Sequence, residues 1–291
     1  MNERPFCSEL SASRGEPLGA TASRVDHWLL VEYGGHWPYE PLDAAVFAGS
    51  LRERLAGRLR ELPHAKLLLV KRPGRARRDR IEVIYGATPE RGAWFRRLEL
   101  EHHGELADLE LAQGGPGEPL EHPILLVCTH GIRDRCCARY GQALCGALNR
   151  LADPEWIRQC SHVGGDRFAG NLVVLPEGLY FGRVAPPDAG PLVARYLEGR
   201  IDLDRYRGRS CRPFAAQAAE LAVRRERRLE GLHDLRVEGI RRLDPDRWEV
   251  TVLAEVSGER IEVEVAREHG EPQLLTCKSK EERPPRRFVA R

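Results

Sequence analysis

Apolar positions along the chain alternate between short runs of strand length and longer stretches of helical period. Trp28-Leu29-Leu30-Val31-Glu32-Tyr33, closed by Gly34-Gly35, reads as a buried strand. Leu42, Ala45, Val46, Leu51, Leu55 and Leu59 recur at helical spacing with Arg and Glu between them. That predicts an amphipathic helix over 42–61, with Pro63 beyond its end. Ala65 to Val70 and Ile81 to Tyr85 are further strands, and Phe95 to Leu100 pairs with the second of these. Lys71 to Arg80 is a basic run between two strands. It reads as a solvated hairpin connection, because no aromatic stacking platform is interleaved to suit nucleic acid.

Gln113-Gly114-Gly115-Pro116-Gly117-Glu118-Pro119 is the clearest linker, and beyond it the pattern starts again. Pro123 to Cys128 is an apolar strand. Cys137 to Leu151 carries Leu144, Ala147, Leu148 and Leu151 on one helical face. Trp156 to Cys160, Asn171 to Leu175 and Leu179 to Phe181 are strands, the last two joined by a turn at Pro176-Glu177-Gly178. Strand, helix, strand and paired strands is the element order of a thioredoxin-like unit. Trp28–Tyr33 and Ile124–Cys128 hold equivalent places in the two halves.

The tail differs. Pro187 to Leu197 is a short helix and Arg212 to Leu229 a longer one, whose C-terminal arginines complement the helix dipole. Trp248 to Val252 and Ile261 to Val265 alternate strictly and read as half-exposed antiparallel strands joined near Ser257-Gly258. Leu235–Ile240 and Leu274–Cys277 complete a small sheet. The expected fold class is α/β (α+β): two thioredoxin-like units in tandem plus a small C-terminal α+β domain. The expected boundaries are 1–117 for an N-terminal unit without the cysteine cluster, 118–203 for the cysteine-bearing unit and 204–291 for the accessory domain.

Composition narrows the classes. At 291 residues, with 42% hydrophobic and 31% charged positions, the chain has enough apolar residues for sizeable cores. A net charge of +2 argues against a dedicated nucleic-acid protein. No secretory signal and no apolar run of bilayer length are visible, so the expected compartment is the cytoplasm, with no membrane partner. Thiols stay reduced there, so the eight cysteines read as metal ligands, redox thiols or core residues.

Five of those cysteines lie between residues 128 and 160, and His162 and Asp166 follow. Cys128 ends a strand and Cys137 opens the next helix, where the helix dipole favours thiolate, the metal-binding form. Cys136 is the alternative. Gly164-Gly165 lets the backbone approach closely between His162 and Asp166. Zinc usually takes close C-x₂₋₄-C pairs, and the spacing from Cys128 to Cys137 is too wide for one. A C-x-x-C dithiol is absent as well. Cys145 lies inside a helix and reads as core, and Cys7 reads as a small buried hydrophobe.

Residues 124–184 resemble the thioredoxin-like 2Fe–2S ferredoxins. The match lies in Asn171–Leu175, Pro176-Glu177-Gly178 and Leu179-Tyr180-Phe181-Gly182-Arg183-Val184. Cys128-Thr129-His130-Gly131, Arg133-Asp134, Cys136-Cys137 and His162-Val163-Gly164-Gly165 resemble the sucrase/ferredoxin-like family more narrowly. So do Cys7-Ser8-Glu9-Leu10-Ser11 and Gly15-Glu16-Pro17-Leu18. The resemblance implies a 2Fe–2S electron carrier rather than an enzyme, with a redox partner protein that the sequence does not name. The ligands it implies are Cys128, Cys137, His162 and Asp166, with Cys136 and Cys160 in reserve. Asp166 stands where the family pattern places a second His or Cys. The alternative is a cluster-free thiol-redox or interaction protein of the same fold. Oligomeric state is not legible.

Overall fold

In the computed structural model, which describes residues 5–74 and 79–291, the apolar runs become neighbours in one large sheet. The first elements are α1 (Cys7–Ser13), β1 (His27–Glu32), α2 (Ser50–Glu61), β2 (Ala65–Lys71), β3 (Ile81–Ala87), β4 (Trp94–Leu100) and β5 (Glu118–Pro119). Then come β6 (Ile124–Cys128), α3 (Arg135–Leu151), β7 (Ile157–Cys160), β8 (Leu172–Leu175), β9 (Leu179–Phe181), α4 (Ala189–Leu197) and β10 (Tyr206–Arg209). The chain closes with α5 (Phe214–Arg227), β11 (Leu235–Asp244), β12 (Arg247–Ala254), β13 (Arg260–His269) and β14 (Arg286–Ala290). Among the described residues, no helix is long and apolar enough to cross a membrane.

The large sheet runs β10-β9-β8-β6-β7-β2-β1-β3-β4-β5. In its first half β1 is parallel to β2 and antiparallel to β3, which pairs with β4. In its second half β6 is parallel to β7 and antiparallel to β8, which pairs with β9. Parallel neighbours need a crossover, and α2 and α3 supply the two. The halves meet where β2 pairs antiparallel with β7, Val70 opposite Cys160 and Lys71 opposite Gln159. Ser161 reinforces this seam. Its N–H donates to the Leu69 carbonyl at 2.8 Å, and its Oγ accepts from the Leu69 N–H at 3.0 Å.

Alternation along each strand divides the core. Leu30, Leu68, Ile84, Leu126 and Val173 face one way and bury Cys128, Cys137 and Cys160. In the second half, Leu125, Val127, Leu172 and Val174 face the other way, against Leu144, Cys145 and Leu148 of α3 and Leu192 of α4. β11 to β14 form a separate antiparallel sheet. Ala215, Ala216, Ala219 and Val223 of α5 pack on its Val250, Val252 and Val265.

Four expectations need correction. The helix expected over 42–61 begins only at Ser50, after two short 3-10 turns. Gly49, at φ 65°, interrupts it and lets Phe47 turn into the core. The run Lys71 to Arg80 is no hairpin, since β2 and β3 flank β1 instead of pairing together. Residues 75–78 of that run lie outside the described residues, but Arg72 is buried, against Glu82. The fourth strand of the small sheet is Arg286–Ala290 and not Leu274–Cys277, which lies in a turn held by Thr276 and Ser279. Finally, Arg224 does not merely sit at a helix end. It is fully buried, its Nε 2.8 Å from Glu220 Oε1, and Arg212 Nη1 lies 2.6 Å from Glu220 Oε2.

Candidate metal centre

Cys128 ends β6, Cys137 lies in the first turn of α3, and His162 follows β7. Ligating atoms from these three residues all lie within 4.8 Å of one another. Asp166 adjoins them: its Oδ1 is 3.1 Å from His162 Nδ1 and accepts from Cys137 Sγ at 3.5 Å. Cys128 and Cys137 are fully buried, whereas the His162 side chain keeps 16% of its exposure. His162 opens onto a groove lined also by Lys66, Arg133 and Glu40.

Charge in the pocket is arranged for an anionic sulfur. A hydrogen bond from Cys137 and the nearby His162 hold the Cys128 thiol well below its usual pKa, and the Val163 N–H adds a further donor. Cys137 is driven well above the thiol range, first by that same hydrogen bond and then by burial. Burial also raises Asp166. Lys66 of β2 is the nearby counter-charge: burial lowers its pKa, while Cys128 and Cys160 oppose that shift. Its role had no sequence signal, because only the β2–β7 seam brings it to the site.

Local chemistry sets the scaffold. Asp134 caps α3, its Oδ1 accepting from the Cys136 N–H at 2.8 Å, which fixes where the helix starts. Gly141 lets α3 lie against the end of β6: a Cβ there would meet the Cys128 carbonyl oxygen at 2.0 Å. Gly164 and Gly165 both have positive φ, 101° and 82°, a conformation other residues rarely adopt. The fully buried Arg207 pins their loop, donating to the Gly164 carbonyl at 3.1 Å and to Asn171 Oδ1 at 2.8 Å. Asn171 Nδ2 in turn donates to the Gly165 carbonyl at 2.9 Å. Arg207 and Asn171 were not singled out from sequence. A glycine inside the α3 pattern was the one available signal for Gly141.

The reserve residues separate. Cys160 lies opposite Cys128 in the parallel β6–β7 register and is buried in the same apolar cluster, without joining the three-residue group. Cys145 packs among the leucines of α3 and α4, as expected of core. Cys136 points elsewhere, into a group with Cys7, Asp134 and Cys277. Cys7 is thus buried, as read from sequence, but in a cluster of thiols. Among the described residues all eight cysteines are free of disulfides.

Comparison with known proteins adds the following. The sucrase/ferredoxin-like family profile matches residues 18–208. The chain is 35% identical over 95 residues to "Altered inheritance of mitochondria protein 32" of Meyerozyma guilliermondii, covering 29% of this chain and 34% of that protein. It is 35% identical over 115 residues to the protein of that name from Eremothecium gossypii, covering 33% and 36%. The match therefore spans only about a third of the length of these relatives. Among solved structures, a cysteine-to-serine variant of the thioredoxin-like 2Fe–2S ferredoxin from Aquifex aeolicus is 22% identical, with a TM-score of 0.25, over 29% of this chain and 96% of that one. The family match takes in Cys128, Cys137, His162 and Asp166 and leaves out Cys7 and Cys277. The chain belongs to the sucrase/ferredoxin-like family.

Proposed function

We propose that this chain is a 2Fe–2S electron-transfer protein of the sucrase/ferredoxin-like type. The observation that carries the reading is the convergence of Cys128, Cys137 and His162 from three separate elements onto one buried point. Two soft thiolates and an imidazole are the donor types such a cluster takes, so the residues present fit the group. Cys128 and Cys137 would hold one iron, and His162 with Asp166 the other, with Cys160 in reserve for the fourth position. The group supplies one-electron transfer when bound.

The chain's own residues do the rest. Val163 N–H, Lys66 and the start of α3 offset negative charge at the sulfurs. Trp28, Leu30 and Tyr180 wall the buried side against water. His162, the most open member, presents the site to a redox partner across the groove. The identical order and sense of β2-β1-β3-β4 and β7-β6-β8-β9 supports two thioredoxin-like units in tandem, near 1–117 and 118–203, with β5 and β10 extending the two halves just beyond those bounds and the rest of 204–291 as an accessory domain. Eight unpaired cysteines suit a thiol-reducing compartment, the cytoplasm in this reading.

One contact favours a second reading, a cluster-free thiol-redox or interaction protein. Asp166 Oδ1 already accepts from Cys137 Sγ at 3.5 Å without any metal. Iron and acid-labile sulfide analysis of anaerobically purified protein separates the two. A red-brown protein that becomes paramagnetic on one-electron reduction supports the cluster. Colourless protein without iron or sulfide selects the second reading.

A further inference from the structure

Three thiols that are far apart in the chain meet a second time in this fold, away from the site described above. Cys7 comes from α1, Cys136 from the first turn of α3, and Cys277 from the segment 270–285 that joins β13 to β14. Cys136 Sγ lies 3.2 Å from Cys277 Sγ and 3.5 Å from Cys7 Sγ, and Cys7 Sγ lies 3.6 Å from Cys277 Sγ. Asp134, with 0% exposure, completes the group, and its ligating atom lies within 4.8 Å of the three sulfurs.

We infer that Cys7, Cys136 and Cys277, together with Asp134, form a second metal site that holds a single thiophilic divalent ion of the zinc type.

The geometry discriminates among the alternatives. Zinc–sulfur bonds of about 2.3 Å in a tetrahedron place two sulfurs about 3.8 Å apart, so the edges of this triangle need to open by between about 0.2 and 0.6 Å. A disulfide needs about 2.05 Å, and one disulfide would leave the third thiol unpaired. Sulfurs that bind different irons of a cluster stand farther apart than sulfurs on one ion, which argues for a mononuclear site. Core packing alone does not call for three mutually touching thiols and a carboxylate.

The surroundings are those of thiolate ligands. Ser8 Oγ donates to Cys136 Sγ at 3.2 Å, and the Cys7 N–H donates to Cys277 Sγ at 3.5 Å. The Arg135 guanidinium lies close enough to Cys277 to favour its thiolate form. Donors to the sulfurs and charge next to them are what orients and stabilises metal-bound thiolates. Asp134 Oδ2 accepts from the Cys277 N–H at 2.7 Å and still has a lone pair for an ion. Asp134 thereby ties the cap of α3 to the 277 turn whether or not it ligates.

The site has a structural task. Residues 270–285 are a long connection whose regular pairing is a single bridge, Gln273 to Arg283. A second polar knot ties the N-terminal segment to the same connection, with a partner in the 166–168 turn instead of α3. Buried Glu16 accepts from Gln273 Nε2 at 2.6 Å and pairs with Arg167 Nε at 2.8 Å. An ion at the thiol group would staple the N-terminal segment and this connection onto the start of α3, where Cys137 enters the other site. Binding would release the thiol protons as the ion enters.

The test is metal analysis of the full chain purified anaerobically without chelator, with zinc and iron measured in the same sample. One zinc per chain is expected, released by a mercurial thiol reagent. Cys277→Ala and Cys7→Ala should each lower bound zinc by at least roughly tenfold while iron is retained. Cys128→Ala should lose iron and keep zinc, so a failure of the electron-transfer reading leaves this one standing. Should a variant misfold, cobalt(II) titration of the reduced wild-type chain and of Cys128→Ala serves instead, the second excluding cobalt held by Cys128, Cys137 and His162. A thiolate-to-cobalt charge-transfer band with intense tetrahedral d–d absorption supports the site. Two results overturn it: wild-type chain with neither zinc nor a cobalt band, or zinc that persists in both Cys277→Ala and Cys7→Ala.

Discussion

Cys136 and Cys137 are adjacent in the chain and face different groups. Cys136 Sγ lies 3.2 Å from Cys277 Sγ, while Cys137 Sγ lies 3.5 Å from Asp166 Oδ1. Successive residues of a helix point about 100° apart, so two neighbouring thiols at a helix start can serve two sites but not one. Asp134 holds both in place, through its cap on the Cys136 N–H and through its own carbonyl on the Cys137 N–H at 3.1 Å.

The first prediction concerns the three-residue group. Cys128→Ser and His162→Ala should each lose or shift the visible spectrum and lower bound iron. Cys145→Ser should leave both unchanged, because Cys145 is packed among leucines on another face of α3. Visible absorption and iron content of the three variants are the measurements. A Cys145 variant that loses iron along with the others would refute the assignment.

Gly141 offers a mutation that touches no ligand. A Cβ at this position would press on the Cys128 carbonyl oxygen, which is backbone and cannot swing aside. Gly141→Ala should therefore destabilise the chain by about 1–3 kcal/mol, despite the roughly 1 kcal/mol that alanine gains in a helix. By moving α3 off β6 it should also lower iron occupancy. Urea denaturation and iron analysis read the two effects separately.

The loop between His162 and Asp166 should depend on Arg207. Burial pushes this guanidinium's pKa down to about 10, so it stays cationic at neutral pH. Arg207→Ala removes the donors to Gly164 and Asn171, and amide hydrogen exchange at 163–166 should speed up. Unchanged exchange there would show that the glycine turn holds itself.

Buried ion networks predict the acid limit of the fold. Glu220 faces Arg212 and Arg224 with 0% exposure, and Glu82 faces Arg158 and Arg72. Burial would raise the Glu220 pKa, but Arg212, then Arg224 and Arg209, overcome it and hold the carboxyl well below the usual 4.5. Glu82 is lowered in the same way, by Arg158 foremost among its partners. A depressed folded pKa contributes stability that is present above the ordinary carboxylate pKa and is lost as pH falls through the folded value. Urea midpoints should therefore drop below about pH 4.5. Glu220→Gln should cost about 3–5 kcal/mol at neutral pH, because it leaves two arginines buried without a counter-charge.

How much was legible beforehand varies with how local the cause is. Strands β1, β6, β8 and β9 follow from apolar runs bounded by Gly and Pro, since burial on both faces leaves that pattern in any context. The helix over 42–61 was overextended because the periodicity continues through Gly49, while the backbone turns there for the sake of Phe47. Leu274–Cys277 looked like a strand, yet Arg286–Ala290 took that place. Which of two short alternating segments pairs with β13 is decided by partners, and propensity alone does not separate them.

By itself the sequence determined that the chain is mixed α/β and that Cys145 is core, which follow from period and turn chemistry within short stretches. It marked Cys128, Cys137, His162 and Asp166 as candidate ligands through the family that the stretch resembles. Tertiary structure alone decided that Cys136 leaves that group for Cys7 and Cys277, that Lys66 and Arg207 support the loop site, and that β2 joins β7 beside Cys160. Cys7 and Cys277 are separated by nearly the whole chain, so their meeting depends on the packing of α1 and the 270–285 connection against the start of α3. No local pattern encodes such a contact, because its energy comes from burial shared by three remote segments.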